Sequence, residues 1–308
     1  MKILFVTSNR LGDAVLSTGL LDHLIRTHPD ARITVVCGPV AEGVFARMPN
    51  RERTIVLRKR RGSRHWLKLW AATLPHLWDL VVDIRGSALS WLVPTRRRAV
   101  FRRIGGPKIA ELAAILNLSS PPSPVVWTAP ADRLHVGGML GDKPVIVLAP
   151  TANWLPKVWP PERFAAFFHR MAGPDTRAVV LGGPGDAERA MAAPLLAALP
   201  NAIDLVGRLS LPEVASCLER ATLFIGNDSG LMHLAAAAGT PTIGLFGPTD
   251  AATYGPTGRC AVAVVATSMA AISVDDAVAA ARALLDQPPI AATSSASIAG
   301  TSRRVVSS

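Results

Sequence analysis

The chain has 308 residues, 49% hydrophobic and 18% charged, with 33 Lys+Arg against 22 Asp+Glu and a net charge of +11. That length suits two domains better than one core, and no apolar run approaches the roughly 18 residues that would span a bilayer. Cys37, Cys217 and Cys260 stand far apart with no C-x-x-C pair, so neither a disulfide framework nor a zinc knuckle is suggested and all three read as packing residues.

At the start, MKILFVTSNRLGD has an apolar run too short for the core of a signal peptide, so a cytoplasmic protein is expected. KILFVTS (2–8) reads as a strand and LGDAVLSTGLLDHLIRTHP as a helix that Pro29 stops. RITVVCG (32–38) and DLVVDIRG (79–86) read as buried parallel strands separated by helix-compatible stretches. A linker rich in Pro, Ser and Gly is expected near 119–143. After it the strand rhythm restarts with PVIVLAP (144–150), RAVVLGG (177–183), ATLFIGN (221–227) and TPTIGLFG (240–247). The expected layout is an N-terminal domain over 1–140, a C-terminal domain over 141–286 and a disordered small-residue tail over 287–308.

The charge is unevenly divided. Residues 1–140 hold 21 Lys+Arg against 9 Asp+Glu, whereas 141–308 hold 12 against 13. The excess concentrates in RERTIVLRKRRGSRHWLKLW (51–70), which contains Arg60 and Arg61, and in TRRRAVFRR (95–103). These stretches are either solvated faces or a surface for a polyanion, nucleic acid or an anionic membrane. No recognised nucleic-acid motif accompanies them.

In open parallel sheets, ligands gather outside the carboxyl ends of strands. In TSNRLGDAV, Gly12 permits a tight turn and Asp13 is either a helix cap or a general base exposed at a cleft. In PTANWLPKVWPPERF, Thr151 and Asn153 offer hydrogen bonds, and Lys157 is either a solvated loop lysine or a charge for phosphate. LGGPGDAERA is glycine-rich but is not G-x-G-x-x-G; its acids Asp186 and Glu188 read as N-terminal helix acids or as contacts to a ribose or base. In GNDSGLMHLAAAAGTPTIGLFGPTD, Asp228 and Ser229 are expected to cap a helix whose first N–H groups, opened by Gly230, form an anion site. His233 on that helix is either a core residue or a ligand.

Four of these segments together resemble glycosyltransferase family 9, the ADP-heptose:lipopolysaccharide heptosyltransferases: NRLGDAVLSTGLL, APTANWLPKVWPPERF, VVLGGPGDAERA and NDSGLMHLAAAAGTPTIGLFGPTD. The resemblance runs over roughly residues 1–285, and D-[ST]-G-x-x-H-x-A-A-A-x-G-x-P is its most specific part. It implies an α/β fold of GT-B type, two facing Rossmann-like domains with parallel sheets. It also implies a transferase that inverts at the anomeric carbon and uses neither metal nor cofactor, and the chain has no D-x-D. By the same resemblance Asp13 is the general base, and Lys157 with Thr151 holds the diphosphate. Asp228, Ser229, Gly230 and His233 line the nucleotide-sugar site, while Asp186 or Glu188 and the backbone near Leu209 approach ribose and adenine. Arg10, Gly12, Arg60 and Arg61 fall on the acceptor side. The implied partners are a nucleotide-sugar donor, an anionic glycolipid acceptor and peripheral contact with the inner leaflet. Two departures stand out: Gly19 replaces a proline common in the family, and the loops after the first strand are short. Two other readings stay open: a GT-B transferase with another nucleotide-sugar or a protein acceptor, and a non-catalytic nucleotide-sugar or nucleic-acid binding module.

Overall fold

The computed structural model describes residues 1–58, 64–258, 260–286 and 304–306. The chain divides into two compact units, 1–129 and 130–308.

The first unit contains strands β1 (Lys2–Val6), β2 (Arg32–Cys37), β3 (Arg51–Val56), β4 (Leu80–Asp83) and β5 (Arg98–Val100). Its helices are α1 (Leu11–Leu16), α2 (Thr18–Thr27), α3 (Arg64–Thr73), α4 (Leu89–Leu92) and α5 (Lys108–Ile115). The sheet is parallel in the order β3-β2-β1-β4-β5. Its central strands β1, β2 and β4 are buried almost throughout, as parallel strands covered on both faces are, and Leu4, Val6, Val36, Val81 and the fully buried Trp78 form one core cluster.

Three features differ from the sequence reading. The helix expected across 11–28 is two helices, because the Ser17 and Thr18 hydroxyls donate to the carbonyls of Ala14 and Val15, both at 2.7 Å, and turn the chain between them. Strands β3 and β5 lie in stretches read as helix-compatible or merely basic. They are the two edges of the sheet, where arginines discourage further strand pairing. Gly19 has its reason in packing: a Cβ there would lie 2.4 Å from the Pro122 carbonyl oxygen. The segment that presses on it is pinned by the Val125 N–H, which donates to Thr18 Oγ1 at 2.9 Å.

The second unit begins with α6 (Pro130–Leu140), which the sequence reading left in the linker. Pro130 opens this helix with its fixed φ, and α6 lies along the helix over Leu211–Arg220, held by Arg133 and His135 against Glu219 and Glu213 at 3.2 and 2.8 Å. The unit continues with β6 (Val145–Ala149), α7 (Pro161–Met171), β7 (Arg177–Val180), α8 (Asp186–Ala198), β8 (Ile203–Asp204) and α9 (Leu211–Arg220). It closes with β9 (Leu223–Asn227), α10 (Gly230–Ala238), β10 (Thr242–Phe246), α11 (Ala251–Tyr254), β11 (Ala261–Val265), α12 (Val274–Leu285) and β12 (Arg304–Val306). The parallel order is β12-β11-β10-β9-β6-β7-β8. Of the tail expected to be disordered, residues 304–306 form the edge strand β12 beside β11, where two consecutive valines suit strand pairing; the rest lies outside the described residues.

Both sheets reverse direction next to their first strand. From β1 the chain winds outward through β2 and β3, then crosses to β4 on the other side; from β6 it winds through β7 and β8, then crosses to β9. The loops leaving β1 and β4 diverge, as do those leaving β6 and β9, and each divergence opens a crevice at the carboxyl ends.

Candidate functional site

The crevice of the second unit is built on Asn227, the last residue of β9. Its side chain is fully buried and bonds the loop after β6 at two points: Oδ1 accepts from the Trp159 N–H at 3.0 Å, and Nδ2 donates to the Pro150 carbonyl at 2.9 Å. Trp159, also fully buried, is fixed at its far end by an indole N–H donated to the Ile272 carbonyl at 3.0 Å. Between these anchors a 3₁₀ turn over Leu155–Lys157 carries the lysine back toward β9. Lys157 Nζ then lies 2.6 Å from Asp228 Oδ2, with the two side chains 19% and 9% exposed. Asp228 is therefore an ion-pair partner, and its expected capping role is not seen.

Ser229 also departs from expectation. It occupies the N-cap position of α10 in extended backbone, yet its side chain makes no capping bond and its buried Oγ has no hydrogen-bond partner among the described residues. The first N–H groups of α10 thus meet no side-chain acceptor from their own cap, and Lys157 pairs with Asp228, the residue just before that cap. Gly230 begins the helix and His233 is buried one turn further on. The helix sits close on β10: a Cβ at Gly244 would lie 2.3 Å from Met232 Sδ. Thr249 Oγ1, in the loop after β10, is another buried hydroxyl without a hydrogen-bond partner among the described residues.

The loop after β7 completes this side. Thr151 is buried against Gly182. Glu188 turns back from α8 so that Oε2 accepts from the Gly183 N–H at 3.0 Å, which braces the glycine turn. Asp186, the first residue of α8, is exposed. Leu209 follows a loop organised by Asp204, whose Oδ2 receives Arg189 and Arg208, each at 3.0 Å, while Oδ1 accepts from the Val206 N–H. Burial opposes ionisation of Asp204, but the Arg189 bond, the Val206 N–H and the two guanidinium charges outweigh it and hold its pKa below the ordinary value.

The first unit has its own constellation. Asp13 is not a cap: the N-cap of α1 is Arg10, and Asp13 accepts from Ser8 Oγ at 3.1 Å through Oδ2. Its Oδ1 has no hydrogen-bond partner among the described residues. Gly12, between them, is half-buried in the first turn of α1. From the neighbouring crevice wall, the fully buried Asp83 receives the Arg85 and Ser87 N–H groups, each at 2.8 Å, and shapes the loop after β4. Arg85 then lies 5.2 Å above the Trp66 ring and donates to Asn9 Oδ1 at 3.4 Å. No carboxylate pairs with Arg85 among the described residues. Arg60 and Arg61 lie outside the described residues.

Ser8, Asn9, Arg85, Asp204 and Asn227 were not singled out from the sequence. Each lies within three residues of a strand's carboxyl end, and that position was the available signal. Among the described residues, no cluster of three or more His, Cys, Asp or Glu side chains is arranged to hold a metal, and no helix is long and apolar enough to cross a membrane. Burial pushes the Cys37 and Cys217 thiols up to about 12, in keeping with packing roles.

The model of a protein family described as glycosyltransferase family 9 (heptosyltransferase) matches residues 112–280. Lipopolysaccharide heptosyltransferase 1 of Pseudomonas aeruginosa is 29% identical over 308 residues, covering 85% of this chain and 83% of the relative. Lipopolysaccharide heptosyltransferase 3 of Escherichia coli is 24% identical over 286 residues, covering 78% and 81%. Among solved structures, a family 9 glycosyl transferase from Veillonella parvula superposes with a TM-score of 0.79 at 21% identity, over 92% of this chain and 97% of that one. The Escherichia coli heptosyltransferase WaaC with ADP gives 0.75 at 20% identity, over 92% and 100%. The two parallel-sheet units are those of the GT-B fold class.

Proposed function

Because the chain belongs to glycosyltransferase family 9, we propose that it transfers a heptose from ADP-heptose to a hydroxyl of an anionic lipopolysaccharide core, inverting the anomeric carbon. The names of its relatives support the sugar and the acceptor class. The observation that carries the reading is the Lys157–Asp228 pair at the strand reversal of the second sheet, beside a helix whose N-terminus has no side-chain cap.

In this reading Asp13 accepts the proton of the acceptor hydroxyl on Oδ1, while Ser8 holds Oδ2. The acceptor oxygen bonds to the anomeric carbon as the bond from that carbon to the diphosphate oxygen breaks, and the electron pair leaves with ADP. Lys157, Thr151, Ser229 Oγ and the N–H groups of Gly230 and the residue after it take up the charge that develops on the diphosphate. The reading relies on these groups and assigns no step to a metal or cofactor. Asp228 and His233 face the sugar, Glu188 or Asp186 the ribose, and the Leu209 backbone the adenine. On the acceptor side, Arg10, Gly12 and Arg85, with Arg60 and Arg61, meet the negative charge of the core. With such an acceptor, the work would be done at the cytoplasmic face of the inner membrane.

Thermal unfolding with ADP, UDP or GDP tests the donor assignment, since a ligand at about 100 times its Kd adds about 2.7 kcal/mol of stability. ADP should raise Tm most. Equal shifts with all three, or a larger one with UDP or GDP, would refute the nucleotide assignment.

A further inference from the structure

The edge of a sheet invites pairing with another chain, because it carries a row of N–H and C=O groups that no neighbouring strand takes up. Among the described residues the first sheet ends at β3 and β5, the second at β8 and β12. Three of these edges carry their own deterrent. β3 contains Arg51, Glu52 and Arg53, and β5 begins with Arg98. β8 is two residues long and ends on Asp204, whose carboxylate is held by Arg189 and Arg208.

Without β12 the fourth edge would be β11, which has no such device. It reads AVAVV, and from Cys260 to Val274 the chain has neither a charged residue nor a proline. High strand propensity without charge or proline is the pattern that pairs most readily with a copy of itself. On one side β11 pairs with β10 over Ala261 to Val265. On the other, Ala263 to Val265 lie opposite Arg304 to Val306 of β12. The Ala266 N–H donates to the Phe246 carbonyl of β10 at 3.0 Å, and successive residues of a strand bond in opposite directions. The N–H groups of Val265 and Ala263 therefore turn toward β12. β12 is itself a poor template for a further strand, being three residues long and containing Arg304.

We propose that β12 guards this edge: residues 304–306 occupy the outer side of β11 and keep it from pairing with β11 of a second copy of this chain. Both copies would present the same strand, so the pairing that is avoided is two-fold symmetric, with the two β11 strands antiparallel in one continuous sheet. Such a dimer is closed, because the far edge of each half is the short, charged β8. In the intact chain the guard prevails because it is tethered. Pairing within one chain meets an effective concentration on the order of millimolar, above that of a second copy in micromolar solution.

The test compares the full wild-type chain with Val305→Pro/Val306→Pro. Adjacent residues turn their N–H groups to opposite sides, so one of the two prolines removes a bond to β11. Light scattering after size-exclusion chromatography should give a monomer for wild type and, for the variant, a mass that doubles as concentration rises. An excess of the peptide spanning residues 301–308 should return the variant to a monomer by refilling the edge. A chain ending at Gln287 gives the same comparison with no proline introduced. In amide hydrogen exchange, Ala263 and Val265 should be protected in wild type and exchange about tenfold faster or more in the diluted, monomeric variant; the wild-type measurement needs no variant to fold. Four results would overturn the proposal: a variant and a shortened chain that both stay monomeric at every concentration, a wild type that is already the same dimer, open aggregates larger than a dimer, or wild-type Ala263 and Val265 amides that exchange as fast as unpaired ones.

Discussion

Lys157 Nζ and Asp228 Oδ2 stand 2.6 Å apart, although 71 residues separate them in the chain. The reversal of strand order between β6 and β9 brings them together, so the cation that would receive a diphosphate rests on a carboxylate until the donor arrives. Lys157→Ala should weaken ADP binding at least tenfold, about 1.4 kcal/mol, whereas Asp228→Asn should bind ADP no more weakly than wild type because it frees the lysine. Titration calorimetry checks both. Each change should also lower stability, by somewhat less than the about 3–5 kcal/mol of a fully buried pair, because Lys157 is partly exposed.

Asn227 sets the position of that lysine at a distance. Asn227→Ala leaves the Trp159 N–H and the Pro150 carbonyl without their partner, and each such buried group costs about 1–3 kcal/mol. Chemical denaturation should show a loss of that order, accompanied by weaker ADP binding. Unchanged nucleotide affinity in a folded Asn227→Ala protein would detach the loop from the site.

Arg85 is held between Trp66 and Asn9 with no acidic partner among the described residues, so its charge is available to a substrate anion. Arg85→Gln should raise KM for the anionic acceptor about tenfold or more and leave KM for the donor unchanged, as expected when one charge-assisted bond worth about 1.5–3 kcal/mol is lost. Steady-state kinetics with each substrate varied in turn separates the two.

Acid should destabilise the first unit partly through Glu111. Burial disfavours its charged form, but Lys108 at 3.1 Å and the N–H groups of Gly105 and Ile104 outweigh burial and hold its pKa below the ordinary value. A carboxylate with a depressed folded pKa stabilises fully above its unfolded pKa, about 4.3, and that contribution disappears as pH falls through the folded value. Wild type should therefore lose Tm more steeply than Glu111→Gln as pH drops below about 4–5. Parallel curves would show that Glu111 contributes nothing to acid sensitivity.

The legible parts of this chain were those where one physical signal dominated. β1, β2, β4, β6, β7, β9 and β10 are short apolar runs ended by polar or glycine turns, and buried parallel strands have that form. β3 and β5 were hidden because edge strands need not be apolar, and here arginines occupy them. At the site, sequence named Lys157, Asp228 and Ser229 but expected of the last two a capping bond that neither makes. Capping is local and was assumed for Asp228 and Ser229, whereas a partner 71 residues away claims the aspartate and the serine hydroxyl has no partner among the described residues. Asn227 and Asp204 act by joining loops distant in sequence, which spacing along one chain does not reveal.

The central claim is that Asp13 activates the acceptor while the Lys157 crevice holds ADP-heptose. Mass spectrometry of a truncated lipopolysaccharide core incubated with ADP-heptose and either wild type or Asp13→Asn tests it most directly. The account predicts one heptose added by wild type, a rate about 10²–10⁴-fold lower for the variant, and ADP affinity equal in both. Transfer by Asp13→Asn at the wild-type rate, or no heptose added by a folded wild type that binds ADP, would contradict it.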